Sequence, residues 1–305
     1  MSARRALITG AGGFVGRYLA QHLQAKHYDV WGMDIVTDDT VGYQAVSLDL
    51  RDASAVKTAV SRIKPHEIYH LASISQPGLG LIHEFYDVNL TGTLNLFEAA
   101  RPTGARILCV SSAYVYGSYE TIITEDMPLK PMGHYAISKA AADLAAFSYA
   151  RQGLPVVRVR PFNHTGPGQS DAFVVPSIVR QVAAIAAGAA PPVLKLGNLE
   201  TIRDLSDVRD IVAAYPALLQ SGEIGAAYNL SRGSGISIRQ LVEKVIAIAD
   251  LDCDITIDEN RRRRSDIPFL VGDSTRAAET VGWHPSHSLD QTIADLLQHE
   301  NAKLT

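Results

Sequence analysis

Through the first half of this chain, short apolar runs alternate with segments of helix length, and that alternation leaves few folds open. Such runs read as consecutive βαβ units, whose strands lie parallel in one sheet with helices on both faces. Strands are expected at residues 5–9, 29–33, 44–48, 67–71, 106–111 and 156–160. Helices are expected at 14–24, 53–63, 86–100, 135–152, 174–187, 207–219, 238–249 and 290–300. The expected fold is α/β, a doubly wound parallel sheet. After Pro161 the pattern loosens into Gly, Pro and Asn punctuation, which predicts a smaller C-terminal lobe over the strand ends, where open α/β sheets bind ligands. The expected division is a nucleotide-binding domain over residues 1–162, with 205–230 returning to it, and a smaller substrate-binding lobe formed mainly by 163–305.

A chain of 305 residues, 47% hydrophobic and 20% charged, fits one large core with an appended lobe better than two independent domains. The net charge of -4 gives no broad basic field, and the only local patch is Arg261 to Arg264, so neither nucleic acid nor a membrane surface is an expected partner. Two cysteines cannot build a disulfide framework, and Cys109 within an apolar run reads as a buried reduced thiol. The first residues pass directly into a strand-like run without the apolar region of a signal peptide, and no apolar run has the length of a membrane span. A cytoplasmic location is expected.

The turn Thr9-Gly-Ala-Gly-Gly-Phe-Val-Gly16 follows the first strand and opens the first helix. Backbone N–H groups and the positive end of a helix dipole suit a pyrophosphate there. Its Gly10, Gly13, Gly16 spacing departs from the Gly-x-Gly-x-x-Gly fingerprint, so the context carries the reading. Asp34 closes the second strand about 20 residues further on, where an acid bonds the ribose 2′-OH and repels a 2′-phosphate. That favours NAD(H) and leaves NADP(H) open; the competing reading is a solvated loop acid beside Asp38 and Asp39. Asp49, ending the third strand, is placed to meet the adenine edge. Tyr135 and Lys139 share a helix face at i and i+4. A free phenol titrates near ~10, and a nearby ammonium lowers it toward a useful general acid or base. Ser112 leaves the strand at the carboxyl edge of the sheet, where its hydroxyl can hold a reacting oxygen beside Tyr135.

In order along the chain stand the glycine turn, His70-Leu-Ala72, Asn89 within Asp87-Val-Asn-Leu-Thr-Gly-Thr93, Ser111-Ser-Ala-Tyr-Val-Tyr-Gly117, Pro131-x-x-x-Tyr-x-x-Ser-Lys139 and Arg160-Pro-Phe-Asn163. This set resembles the extended short-chain dehydrogenase/reductase family acting on nucleotide sugars, over nearly the whole chain, with a Rossmann-type fold. The resemblance implies that Ser112, Tyr135 and Lys139 are catalytic, that Phe14, Val15, Leu50, Leu71 and Ala72 line the cofactor site, and that Phe162 packs near the nicotinamide. It also implies a homodimer through the helices at 86–100 and 135–152, where Ala140, Ala141, Ala142, Ala145 and Ala146 would permit close packing. More narrowly, the segments 160–169, 173–174, 197–204 and 207–210 are similar to GDP-4-keto-6-deoxy-D-mannose reductases. In related GDP-sugar enzymes the positions matching Asn163, Val174, Arg203 and Arg263 contact the diphosphate, and a forked guanidinium suits that role. Which arginine of 261–264 faces the ligand stays open.

Dehydratases of this superfamily place an acid directly after the catalytic Ser or Thr, and here that position is Ala113. The expected activity is therefore an oxidoreductase step, NAD(P)H-dependent reduction at C4 of GDP-4-keto-6-deoxy-D-mannose to a GDP-6-deoxyhexose such as GDP-D-rhamnose. The alternative is an NAD-dependent 4-epimerase of the UDP-glucose/galactose type. A third reading is a cofactor-binding protein without turnover, against which the intact Ser112, Tyr135 and Lys139 argue. His66-Glu-Ile-Tyr-His70 matches a zinc-protease pattern, but Pro65 and the apolar continuation read as a strand, in which residues four apart stand about 13 Å apart; no metal site is expected.

Overall fold

In the computed structural model, which describes residues 3–36, 42–75, 81–261 and 267–304, each strand expected in the first half forms within one residue of its expected ends. The chain runs β1 (Arg5–Thr9), α1 (Phe14–Ala25), β2 (Asp29–Asp34), β3 (Gln44–Ser47), α2 (Ala53–Ile63), β4 (Glu67–His70), α3 (Ile82–Tyr86), α4 (Gly92–Ala100) and β5 (Arg106–Val110). It continues through α5 (Gly133–Arg151), β6 (Val156–Pro161), β7 (Asn163–Thr165), α6 (Val174–Ala186), β8 (Val193–Leu196), β9 (Ile202–Asp207) and α7 (Val208–Ser221). The last part holds β10 (Ala227–Leu230), β11 (Gly235–Ser237), α8 (Ile238–Ile248), β12 (Asp254–Ile257), β13 (Phe269–Leu270), α9 (Thr275–Val281) and α10 (Leu289–Leu304).

Seven strands pair in parallel in the order β3-β2-β1-β4-β5-β6-β10. The order reverses between β1 and β4, the switch point beside which such sheets bind ligands. This is the doubly wound Rossmann-type fold. Its strands are apolar throughout because both faces are covered: Ile8, Tyr69 and Leu108 point toward α1 and α7, while Leu7, Ile68 and Ile107 point toward α2 and α4. A second sheet sets β9 between β11 and β13 and also pairs it with β7, so the segment leaving β6 is tied directly to the lobe. Among the described residues no helix is long and apolar enough to cross a membrane.

Several elements differ from expectation. The helix expected over 86–100 is broken by a π-helical turn at Asp87–Thr91, where Thr93 Oγ1 donates to Asn89 O at 2.6 Å; a hydroxyl bonded back to the preceding turn competes with the regular ladder. Strand β10 and helix α9 are short and carry no strong periodic signal. On α5, Ala140, Ala142 and Ala146 are buried within the chain, so they do not form the outward small-residue face expected of them. That helix instead exposes Ile137, Leu144 and Phe147.

The inward side of α5 also carries Asp143, fully buried between two arginines of β6. Its Oδ1 accepts from Arg158 Nη1 at 2.5 Å and Arg160 Nη2 at 2.8 Å, and its Oδ2 accepts from Arg160 Nε at 2.9 Å. Burial opposes ionisation of Asp143, but the two guanidinium groups outweigh it and hold the carboxyl below its ordinary value. A depressed carboxyl contributes stability above its unfolded value, and that contribution is lost as pH falls through the folded one. We therefore expect Asp143→Ala to cost about 3–5 kcal/mol in urea unfolding, because it leaves buried cations unpaired. The stability difference between wild type and variant should shrink on acidification; a difference that is constant down to acid pH would assign the loss to packing alone.

Candidate active site

The glycine turn, Asp34, Leu71, Ala72 and Ser112 stand at or just beyond the carboxyl ends of the parallel strands, and Tyr135 and Lys139 on α5. Beyond β1, Gly10 has φ +73°, and a Cβ there would lie 2.8 Å from Ala72 Cα and N, so only glycine lets this turn close on the exit of β4. A Cβ on Gly16 would lie 2.2 Å from Gly10 O. Gly13 is the N-cap of α1 and supplies no side-chain cap, leaving the first N–H groups of the helix for an anionic ligand. Phe14 and Val15 stand half-buried beside them. At the end of β2, Asp34 Oδ2 accepts from Gly12 N at 3.0 Å and Oδ1 from Ile35 N at 2.8 Å. The carboxylate is therefore fixed against the glycine turn. A narrow cradle, an uncapped helix end and a carboxylate together fit a dinucleotide.

Other cofactor positions follow the same edge. Asp49 is held by Arg51, whose Nε lies 2.8 Å from Oδ2, and that bond keeps the carboxyl below its ordinary value. Leu50 is buried against Gly92. Leu71 and Ala72 are half-buried. Phe162 is 1% exposed, with its ring stacked on Tyr116 at 6.4 Å and against Gly272.

Ser112 caps a short turn after β5, its Oγ accepting from Tyr114 N at 3.3 Å. The same hydroxyl acts on the Tyr135 phenol, favouring its ionised form, and the ring of Tyr114 stands edge-on to that of Tyr135 at 6.3 Å. Lys139, one turn further along α5, sends Nζ to Val110 O at 2.6 Å. Burial pushes the Tyr135 phenol up to about 12, with the Ser112 bond acting the other way. Burial lowers Lys139. The expectation that the ammonium itself lowers the phenol is not met in this arrangement: i, i+4 spacing sets the two residues on one face, but the lysine turns to the strand end. Sequence reasoning assigned no role to Asn89, which is buried in the π turn. Its Oδ1 accepts from Ile74 N at 2.8 Å and its Nδ2 donates to Ser138 Oγ at 3.0 Å. A polar residue amid an apolar helix pattern was the available signal.

On the substrate side, Asn163 begins β7 with its Oδ1 buried and unpartnered among the described residues. Val174 opens α6 and is 41% exposed. Arg203 on β9 is buried, its Nη1 donating to the carbonyls of Ile202 and Ile267 at 2.9 and 2.7 Å. Arg263 lies outside the described residues. An open groove of about 420 Å³ along Leu205, Arg232, Lys244 and Asp290 includes none of the identified residues. His66 and His70 bond different partners: His66 Nδ1 accepts from Arg5 N, while His70 sits between Thr9 and Thr93.

The family model described as GDP-mannose 4,6 dehydratase matches residues 7–296. GDP-6-deoxy-D-mannose reductase of Pseudomonas aeruginosa is 32% identical, with 96% of each chain covered. Among solved structures, that of RMD from Pseudomonas aeruginosa complexed with NADPH superposes with a TM-score of 0.87 at 31% identity, covering 99% of this chain and 98% of that one. The NAD complex of Thermus thermophilus UDP-glucose 4-epimerase does so at 0.86 and 26%, covering 97% and 98%.

For the phenol, the difference in alkaline absorbance titration between wild type and Tyr135→Phe, without cofactor, should show one tyrosine ionising near 12. Ser112→Ala should move that step higher. A step near the ordinary ~10 would mean the phenol is open to solvent.

Proposed function

This chain belongs to the GDP-mannose 4,6-dehydratase family of extended short-chain dehydrogenases/reductases, NAD(P)-dependent enzymes acting on nucleotide sugars, and from that premise we propose that it reduces a 4-keto nucleotide sugar. The substrate proposed is GDP-4-keto-6-deoxy-D-mannose, and the product a GDP-6-deoxyhexose such as GDP-D-rhamnose. The observation that carries the reading is the Ser112–Tyr135 pair beside Lys139, with the buried methyl of Ala113 where a dehydratase would need an acid. A methyl group moves no proton, so elimination of water lacks its agent.

Gly10, Gly13, Phe14, Val15 and Gly16, with Asp34, Asp49, Leu50, Leu71, Ala72 and Phe162, would hold the dinucleotide. When bound, the nicotinamide supplies the hydride. Tyr135 gives its proton to the oxygen at C4. Ser112 donates to that same oxygen and steadies its developing charge. Lys139, anchored on Val110 O, would hold the ribose. Asn163, Val174, Arg203 and Arg263 would contact the diphosphate, the arginines by paired N–H donors. Residues 1–162 with 205–230 would thus serve the cofactor, and mainly 163–305 the sugar nucleotide. The likeness to the UDP-glucose 4-epimerase complex keeps the 4-epimerase in play as a second reading.

Asp34, fixed on Gly12 N, supports NADH over NADPH. The homodimer is proposed through α5, whose exposed Ile137 and Leu144 offer an apolar stripe.

Supplied with GDP-4-keto-6-deoxymannose, the protein should consume NADH stoichiometrically and form a new GDP-6-deoxyhexose; interconversion of 4-hydroxy nucleotide sugars with no cofactor consumed would replace this reading with the epimerase. Tyr135→Phe should lose at least about 10²-fold in kcat. Asp34→Arg should relax the preference for NADH, and wild type turning over NADPH much faster than NADH would remove that assignment of Asp34. Sedimentation should show a dimer that Leu144→Glu splits; a monomeric wild type at working concentration would end the dimer proposal.

A further inference from the structure

One buried imidazole outside the proposed catalytic set joins the two halves of the site. His70, the last residue of β4, is 3% exposed. Its Nδ1 lies 2.7 Å from Thr9 Oγ1 and its Nε2 lies 2.8 Å from Thr93 Oγ1. Thr9 directly precedes Gly10, and its Oγ1 accepts from Ala72 N at 3.3 Å. Thr93 Oγ1 spends its only proton on Asn89 O at 2.6 Å.

These contacts leave one consistent direction for every bond. Since the Thr93 hydroxyl donates to a carbonyl, it can only accept from His70, so Nε2 carries the ring proton. Nδ1 is then bare and must accept from Thr9, whose oxygen in turn accepts from Ala72. The sequence of donors is Thr9 hydroxyl to Nδ1, and Nε2–H to Thr93 and on to the π turn. The other neutral tautomer would set a bare Nε2 against the Thr93 oxygen, whose only proton is committed to Asn89 O. Burial and the nearby Lys139 charge push His70 down to about 3, which keeps it neutral. From the π turn the path continues through Asn89 Nδ2 to Ser138 Oγ at 3.0 Å, and from Ser138 Oγ to Tyr135 O at 2.8 Å.

We propose that His70 is a positioning residue, which through Thr9 on one side and Thr93 on the other sets the glycine-rich turn in register with the helix that presents Tyr135 and Lys139. The π turn is part of the device: Asn89 O accepts from the Thr93 hydroxyl, and the Asn89 side chain bonds both Ile74 and Ser138. Dinucleotide seating and phenol placement are then linked through buried groups alone. This rests on the reading of Tyr135 as the proton donor to the reacting oxygen.

The test separates the two ends of the bridge. His70→Asn keeps an acceptor near the Nδ1 position and loses the donor to Thr93; His70→Gln keeps a donor near Nε2 and loses the acceptor for Thr9. Thr93→Val removes the hydroxyl at nearly constant shape, and Thr93→Ser retains it. For each, NADH and NADPH dissociation constants are measured by fluorescence, kcat and KM by the reductase assay, and unfolding by heat. Thr93→Val and His70→Asn should lower kcat about tenfold with KM for the sugar nearly unchanged, and weaken the preferred dinucleotide several-fold; Thr93→Ser should restore both. Wild-type dinucleotide affinity and kcat per folded molecule in Thr93→Val, with only the unfolding temperature reduced, would overturn the proposal and leave a purely structural bridge. If even the wild type fails to turn over the sugar nucleotide, the reductase reading falls, while the affinities of Thr93→Val and Thr93→Ser still decide this one. Nitrogen-15 spectra of histidine-labelled wild type need no variant: His70 should show the neutral Nε2–H tautomer from about pH 5 to 9, and an imidazolium or Nδ1–H form there would sink the bond directions.

Discussion

The constraint on which the site depends is the approach of the turn after β1 to the exit of β4. Gly10 N donates to Met33 O at 2.8 Å, and Leu71 N donates to Thr9 O at 3.1 Å. The ends of β2, β1 and β4 are thereby drawn together at the switch point, with no room for a side chain on Gly10. From that closure follow the direction of α1 along the sheet edge, the reach of Asp34 to Gly12, and the shared edge on which Leu71, Ala72 and Ser112 emerge. Any residue with a Cβ at Gly10 meets backbone, which cannot yield as a side chain can.

The chemistry of the site rests on enclosure. Burial raises the Tyr135 phenol and lowers the Lys139 ammonium, so both are drawn toward their neutral forms. Of the neighbouring side chains, Ser112 favours the ionised phenol and Tyr114 opposes it. The ammonium, for its part, has one of its three donors on Val110 O. The protein by itself therefore holds a proton on Tyr135, which is the state that a reduction consumes.

The second half of the chain is organised by three aspartates around the junction of β9 and α7. Asp204 accepts from Arg232 N, Gly233 N and Gly272 N, and so ties β9 to two later loops; burial still raises it to about 6. Asp207 caps α7 and accepts from Thr292 Oγ1 on α10 at 2.8 Å. Asp210 accepts from Ser286 Oγ and His287 N at 2.7 and 3.0 Å. Each carboxylate spends its acceptors on N–H and O–H groups of segments distant in sequence, which is how a lobe of short strands obtains defined positions.

Much of this was legible because it follows from local rules. Alternating apolar runs determine a parallel doubly wound sheet when both faces must be covered, and the glycine turn between β1 and α1 marks its switch point. The motif order was enough for the family. The break at Asp87–Thr91 was not legible, since it depends on a hydroxyl meeting a backbone carbonyl within a helix that is apolar by pattern. The inward alanines of α5 were misplaced because the resemblance set them on an outward face between copies, whereas Ala140, Ala142 and Ala146 pack into the chain's own core beside the buried Asp143. The aim of Lys139, the stacking of Phe162 on Tyr116, and the bridge through His70 were decided only by the tertiary structure. Spacing along the chain sets which face a residue occupies, whereas the direction of a long or ring side chain depends on acceptors that other strands bring to it.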